Sequence, residues 1–106
     1  MTLTNRSRKA LEKDGYIVDI VERYNSFSHH KNDLYGMFDL LALHPEKHLL
    51  VGVQVTSKSN LSSRRTKIKN AKAYVPWLLT KSEVLLHGWV KKKGRFVLTA
   101  EYMRGD

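Results

Sequence analysis

Residues 49–56, with the sequence LLVGVQVT, constrain the fold of this chain most strongly. Three valines alternate there with Gly52, Gln54 and Thr56, so the valines share one face of an extended backbone and the other three residues share the opposite face. β-Branched residues favour strands, and this run is far shorter than the roughly 18 apolar residues that suggest a membrane-spanning helix. The pattern predicts a central strand of a sheet.

The rest of the sequence alternates between helical and extended patterns. A helix is predicted over residues 3–14, with Thr4 or Asn5 as its cap and Gly15 as its stop. Further segments predict strands at 16–23, 37–43 and 49–56, polar loops at 25–32 and 57–63, a basic helix at 64–73, and a hairpin of 83–90 with 95–101. We therefore expect one α/β (α+β) domain over residues 1–106, with a central mixed sheet flanked by helices and its first three strands in a meander.

The charge of the chain narrows the class of partner. Nineteen Lys and Arg face ten Asp and Glu, which gives a formal net charge of +9. Such a surplus on a small domain favours a polyanion, although a merely solvated basic surface would look the same. The chain has no cysteine, which fits a reducing cytoplasm, and its first fifteen residues lack the apolar core of a signal peptide. We expect a cytoplasmic protein that binds nucleic acid.

Two polar residues interrupt apolar strands and need partners. Asp39 lies within GMFDLLAL, where an unpaired buried carboxylate would cost several kcal/mol. A hairpin between the two strands would set Asp39 beside Gln54, and Thr56 and Lys58 would follow on the Gln54 face. A structural hydrogen bond from Gln54 or Thr56 to Asp39 is an equally good interpretation. Asp33, six residues earlier, is either a further acid of the cluster or a turn cap.

The order of these features resembles PD-(D/E)xK nucleases, and among them Holliday-junction resolvases and the VRR-type nuclease domains of phages. The matching residues are Gly15-Tyr16 before a strand, Asp39 in FDLLAL, Gln54-Val55-Thr56 in the next strand, and the basic segment that follows. The resemblance spans residues 8–90. It implies an αβββαβ restriction-endonuclease-like core with a C-terminal hairpin, in a protein of a bacterial or archaeal cell or of a phage that infects it.

The resemblance also implies a chemistry, the metal-dependent hydrolysis of phosphodiester bonds in DNA, including branched or junction DNA. Asp39, Gln54 and Asp33 would bind Mg²⁺ or Mn²⁺, which accept oxygen ligands. Gln54 stands where the family has an acid, and Thr56 stands where it has a lysine, so Lys58 is the candidate for the missing cation. Asp39, Gln54, Thr56 and Lys58 are therefore the expected catalytic residues.

Other residues would complete such a site. Glu22 is a further candidate acid, because the acid that resolvase-like members carry in their first helix is missing here. Contacts with nucleic acid are expected from one set of residues: Arg64, Arg65, Lys67, Lys69 and His30. Tyr24 and Tyr35 could stack on bases, but we expect them to pack inside the protein. Cutting both strands of a duplex favours a homodimer, formed through residues 75–79 or the final hairpin.

The departures from the family motif leave three functions open. The chain is an active Mg²⁺-dependent endonuclease, a nuclease-like protein that binds nucleic acid without cutting it, or an unrelated basic interaction module. The first predicts metal-dependent cleavage that Asp39→Ala abolishes. The second predicts binding with a steep salt dependence and no cleavage, and the third predicts neither.

Overall fold

The structure is a computed structural model and describes residues 1–47 and 49–103. These residues form a five-stranded mixed sheet with helices on both faces, and a separate two-stranded ribbon. The elements in chain order are α1 (Leu3–Lys13), β1 (Ile17–Ile20), β2 (Arg23–Asn25), β3 (His30–Asn32), β4 (Leu40–His44), β5 (Leu49–Ser57), a 3₁₀ turn (Lys58–Asn60), α2 (Leu61–Lys69), α3 (Tyr74–Leu79), β6 (Glu83–Lys92) and β7 (Arg95–Met103). The predicted fold class is confirmed.

The strands of the main sheet lie in the order β1-β4-β5-β6-β7. β1, β4 and β5 pair antiparallel, which confirms the predicted meander, and β6 pairs antiparallel with β7. β5 and β6 are parallel, so the chain must cross over between them. The crossover carries α2 and α3, and it places the basic helix beside the centre of the sheet.

The helices bury the two faces of the sheet in separate clusters. On one face, Leu11 of α1 packs with Tyr16, Val51 and Val53. The other face is covered by α2 and α3, where Ile68 and Tyr74 pack with Phe38. Each face of β5 is therefore buried, as in a central strand covered by helices on both sides.

Gly52 permits a close approach between β5 and the segment before β4. A Cβ atom at this position would lie 2.4 Å from Cζ of Phe38, inside van der Waals contact. The ring of Phe38 therefore lies flat against the β5 backbone and is fully buried. Phe38 immediately precedes Asp39, so this packing anchors the backbone that carries the acid.

Three local predictions are wrong in their detail. Residues 25–32 are not a plain loop, because β2 and β3 pair across them. Helix α2 begins at Leu61 rather than at residue 64. Leu61 is buried against Gly88, and this contact holds the first turn of the helix against β6. The cap of α1 is Thr2, whose Oγ1 accepts a hydrogen bond from the backbone N–H of Asn5 at 3.1 Å.

None of the helices within residues 1–47 and 49–103 is long and apolar enough to cross a membrane.

Candidate active site

Asp39 immediately precedes β4 and lies beside the middle of β5 and the end of β1. Its backbone N–H donates to the carbonyl of Val53 at 2.8 Å, and its own carbonyl accepts from the N–H of Val21 at 2.9 Å. The side chain is buried, and its Oδ2 accepts a hydrogen bond from the backbone N–H of Val55 at 2.8 Å. The segment after β1 and strand β5 thus both bond to Asp39, so its carboxyl group has a defined position.

Two further acids converge on Asp39. Glu22 follows β1, and Asp33 follows β3. One carboxylate oxygen from each of the three residues lies within 4.8 Å of the others. Oxygen ligands lie about 2.0 to 2.6 Å from Mg²⁺ or Ca²⁺, so two ligands on opposite sides of one ion are about 4 to 5 Å apart. The three carboxylates therefore fit a single hard divalent cation such as Mg²⁺ or Mn²⁺.

The crowding of these acids perturbs their protonation in the absence of a cation. Burial, opposed by the Val55 N–H and reinforced by the nearby Asp33 and Glu22, raises the pKa of Asp39 to about 8. Burial also acts to raise the pKa of Asp33, but hydrogen bonds from Lys67 and Asp39 and the charge of Lys67 lower it overall. Asp39 therefore holds a proton at neutral pH when no cation is bound.

Gln54 approaches the acids through its amide nitrogen. Nε2 donates to the carbonyl oxygen of Met37 at 2.5 Å and to Oδ2 of Asp33 at 3.2 Å. A carbonyl oxygen can only accept, so the atom directed at Met37 must be the nitrogen. That nitrogen cannot ligate a cation. In this orientation Gln54 positions Asp33, and its predicted role as a ligand would require the amide to turn.

The remaining motif positions lie away from the acids. Thr56 is buried within β5, and Lys58 is exposed in the 3₁₀ turn that follows. Among the described residues, neither lines the cleft that contains the three acids. The interpretation of Asp39 as the partner of Gln54 or Thr56 also differs from the structure, in which the backbone of Val55 is the donor.

An open cleft of about 620 Å³ surrounds the acids and is framed by basic residues. Lys67 of α2 places Nζ 2.5 Å from Oδ2 of Asp33. Lys31 of β3 lies 3.6 Å from Oε1 of Glu22. Arg64 of α2 also lines the cleft. A phosphodiester entering the cleft would thus meet cationic side chains beside the acids.

The residues expected to contact nucleic acid fall into two groups. Arg64 and Lys67 line the cleft, as one face of α2 is directed into it. Arg65 instead forms an ion pair with Glu101 of β7, and Lys69 and His30 are exposed outside the cleft lining. Sequence reasoning missed Lys31, because a single lysine in a polar segment carries no signal until the ribbon is known.

No family model matches this chain, and no curated protein and no solved structure is similar to it at a significant level. A function must therefore be inferred from the residues of the cleft.

Proposed function

We propose that this chain is a metal-dependent nuclease that hydrolyses phosphodiester bonds of DNA in the cleft around Asp39. The observation that carries the proposal is the convergence of three carboxylates inside a basic frame. Acids alone would repel DNA, and basic residues alone would only bind it. Together they suit a reaction in which a polyanion must approach a divalent cation.

The acids would hold Mg²⁺ or Mn²⁺ through Asp39, Asp33 and Glu22. When bound, such a cation polarises a phosphoryl oxygen and lowers the pKa of a water molecule. Val55 holds the Asp39 carboxyl group in place through its backbone N–H. Gln54 does the same for Asp33 through its side-chain amide.

Lys67, rather than Lys58, is the cation that we assign to the lysine position of the motif. Its Nζ already contacts Asp33, whereas Lys58 is exposed two residues beyond Thr56. A lysine there neutralises charge that develops on the phosphate during hydrolysis. Arg64, on the preceding turn of α2, would bind a phosphate of the DNA backbone.

Binding of nucleic acid without cleavage is the second candidate function. It is favoured by β5, which offers an amide at Gln54 and a hydroxyl at Thr56 where the nucleases carry an acid and a lysine. Both replacements remove charge. A protein that had lost cleavage could keep the basic frame of the cleft, because DNA binding depends mainly on Lys and Arg.

A cleavage assay separates these functions. Plasmid, single-stranded and branched DNA are incubated with Mg²⁺, Mn²⁺ or EDTA, using the wild type, Asp39→Asn, and Asp19→Asn as a matched control. Asp19 lies exposed on β1, outside the acid cluster. We expect metal-dependent products from the wild type and Asp19→Asn and none from Asp39→Asn.

Two other results would contradict the proposal. Salt-sensitive binding without products on any substrate would favour the second candidate. If the protein neither binds nor cleaves DNA, the remaining interpretation is an unrelated basic interaction module.

A homodimer in the cytoplasm is part of the same proposal. Val75 and Leu79 of α3 are 61% and 78% exposed, and these apolar side chains are available to a second copy of the chain. Sedimentation should therefore give a dimer that Leu79→Glu dissociates. A wild type that sediments as a monomer at all concentrations would contradict this part.

A further inference from the structure

The ribbon formed by β2 and β3 carries an aromatic side chain in open solvent. Phe27, at the tip of this ribbon, is 97% exposed, which makes it the most exposed large hydrophobic residue that the structure describes. Tyr24 of β2 is 62% exposed, so the expectation that it packs inside the protein is wrong. Two exposed aromatic side chains on one short ribbon suggest a contact surface.

The tip of the ribbon is held in a closed turn. Oδ1 of Asn25 accepts hydrogen bonds from the backbone N–H groups of Phe27 at 2.9 Å and Ser28 at 3.3 Å. The hydroxyl of Tyr24 is 3.0 Å from Nδ1 of His29. These bonds order the backbone around Phe27 while its ring stays in water. The exposure of Phe27 is therefore a property of a structured turn.

The ribbon runs directly into the cleft. Glu22 immediately precedes β2, and Asp33 immediately follows β3. Tyr24 pairs across the ribbon with Lys31, so the two side chains share one face. Lys31 lines the cleft and reaches Glu22. Because an extended chain rises about 3.3 Å per residue, Phe27 lies within about 20 Å of Asp33.

We propose that the ribbon is a base-recognition arm, in which Phe27 and Tyr24 stack on an unpaired DNA base near the cleft. The inference rests on the proposed function in that DNA is the ligand. Every base offers a π-face to an aromatic ring, and apolar side chains also enter opened base steps. Arg23 and Lys31 add positive charge for the backbone of the same strand.

The arm predicts a preference for DNA with unpaired bases. In an intact duplex the bases stack on each other, so Phe27 can reach a π-face only where a base is free or a step is opened. By binding an unpaired base, the arm would thus determine where on the DNA the cleft is placed. The acids would still perform the reaction, and Phe27 would contribute to binding alone.

Equilibrium binding in EDTA tests the arm without cleavage. The ligands are a duplex and the same duplex with a single-stranded fork, each carrying 2-aminopurine in the strand that the fork leaves unpaired. Phe27→Ala is compared with the wild type, with Phe27→Trp, and with Phe96→Ala on β7 as a control outside the ribbon. Removing one stacked base contact should weaken fork binding about 10-fold.

We expect Phe27→Ala to leave the affinity for the plain duplex unchanged and to lose the 2-aminopurine quenching that the wild type shows. Phe27→Trp should retain both the affinity and the quenching, because the ring is replaced by another aromatic ring. Phe96→Ala should match the wild type. Because Phe27 is almost fully exposed, its replacement should not affect folding.

The possible failures are distinguishable. If Phe27→Ala binds the fork as the wild type does, or weakens fork and duplex equally, the arm is wrong even where the wild type cleaves DNA. Fork-selective binding that depends on Phe27, without cleavage in any metal, would sink the nuclease proposal and leave the arm standing. If the wild type binds neither the fork nor the duplex, the nuclease and the arm are both wrong. The aromatic tip would then serve a protein partner.

Discussion

Two polar clusters contact the same sheet, and their polar groups are satisfied in different ways. Beneath α1, Nε1 of Trp89 donates to Oγ of Ser7 at 2.8 Å, and Nδ1 of His87 lies 2.8 Å from the same hydroxyl. An indole N–H can only donate, so the hydroxyl accepts from Trp89, and it pairs with Nδ1 of His87 as donor or acceptor according to the tautomer of the ring. Burial lowers the pKa of His87 to about 4, which leaves the imidazole neutral at physiological pH.

The acid cluster around Asp39 is satisfied in part by cations, because Lys67 contacts Asp33 and Lys31 lies 3.6 Å from Glu22. These contacts leave Asp39 itself beside two carboxylates, and protonation of Asp39 or a bound cation relieves the remaining repulsion. The comparison shows that burial of polar groups is not by itself a sign of function. Complementary neutral groups stabilise the fold, whereas like charges held together in a cleft favour a ligand.

The largest expected effect is that of Asp39→Asn, which replaces a protonatable acid by a neutral amide. Loss of a ligand to the catalytic cation should lower the cleavage rate by about 100-fold or more. The pKa of Asp39 is raised from 3.8 to about 8 in the folded state, so the folded protein binds this proton more tightly than the unfolded chain. Without metal, the free energy of unfolding of the wild type should therefore fall as pH rises towards 8.

Chemical denaturation of both proteins at pH 5 and pH 9 measures this effect. Asp39→Asn should lack this part of the pH dependence and be the more stable protein at pH 9 in EDTA. Added Mn²⁺ should stabilise the wild type and not the variant. Equal destabilisation of Asp39→Asn at both pH values would mean that Asp39 is purely structural.

The second expected effect is a loss of stability at acid pH caused by His87. The unfolded chain takes up a proton near pH 6.5, but native His87 resists it until about pH 4. The free energy of unfolding should thus fall as pH drops through this window, and it should level off below it. At about 1.4 kcal/mol per pH unit, the upper limit is about 3 kcal/mol.

Denaturation of the wild type and His87→Gln at several pH values between 7 and 4 isolates this contribution, because other groups titrate alike in both. The wild type should lose more stability than His87→Gln over this range. Parallel stability curves for the two proteins would show that His87 takes up its proton at the same pH in the folded and the unfolded states.

Third, Ser7→Ala should destabilise the protein by about 2 kcal/mol. The substitution leaves Trp89 and His87 without the hydroxyl that joins them, and each buried polar group without a partner costs about 1 to 3 kcal/mol. Urea denaturation measures the change, with Ser63→Ala on the exposed face of α2 as the control. If both variants unfold like the wild type, the cluster beneath α1 contributes nothing to stability.

The smallest effect is expected for the Mn²⁺ affinity of Lys67→Met. Lys67 competes with a divalent cation for Asp33, and a partly exposed ion pair is worth about 0.2 to 1 kcal/mol, so Mn²⁺ should bind the variant up to about 5-fold more tightly. Calorimetric titration of Mn²⁺ measures this affinity. Binding of DNA should weaken at the same time, since one cation is lost from the cleft. Unchanged Mn²⁺ affinity would show that Asp33 is not a ligand.

The sequence predicted the fold through features that are local in the chain. The alternating β-branched residues in 49–56 indicate a strand, and the order of helices and strands indicates the mixed sheet. Both are present, with the hairpin turning at Lys93-Gly94. Asp39 interrupts an apolar run, which likewise indicated a candidate site residue, because an isolated buried carboxylate needs a partner wherever it lies.

The sequence named Asp33 and Glu22 as candidate acids, but it could not show that they converge on Asp39. Glu22 and Asp33 are separated from Asp39 by 17 and 6 residues, and the pairing of β2 with β3 brings them together beside the start of β4. The exposure of Phe27 depends on the same ribbon. Period and composition therefore determined which elements form, since those patterns act over a few residues. Tertiary structure alone decided which side chains share the cleft, because that depends on how distant segments pack together.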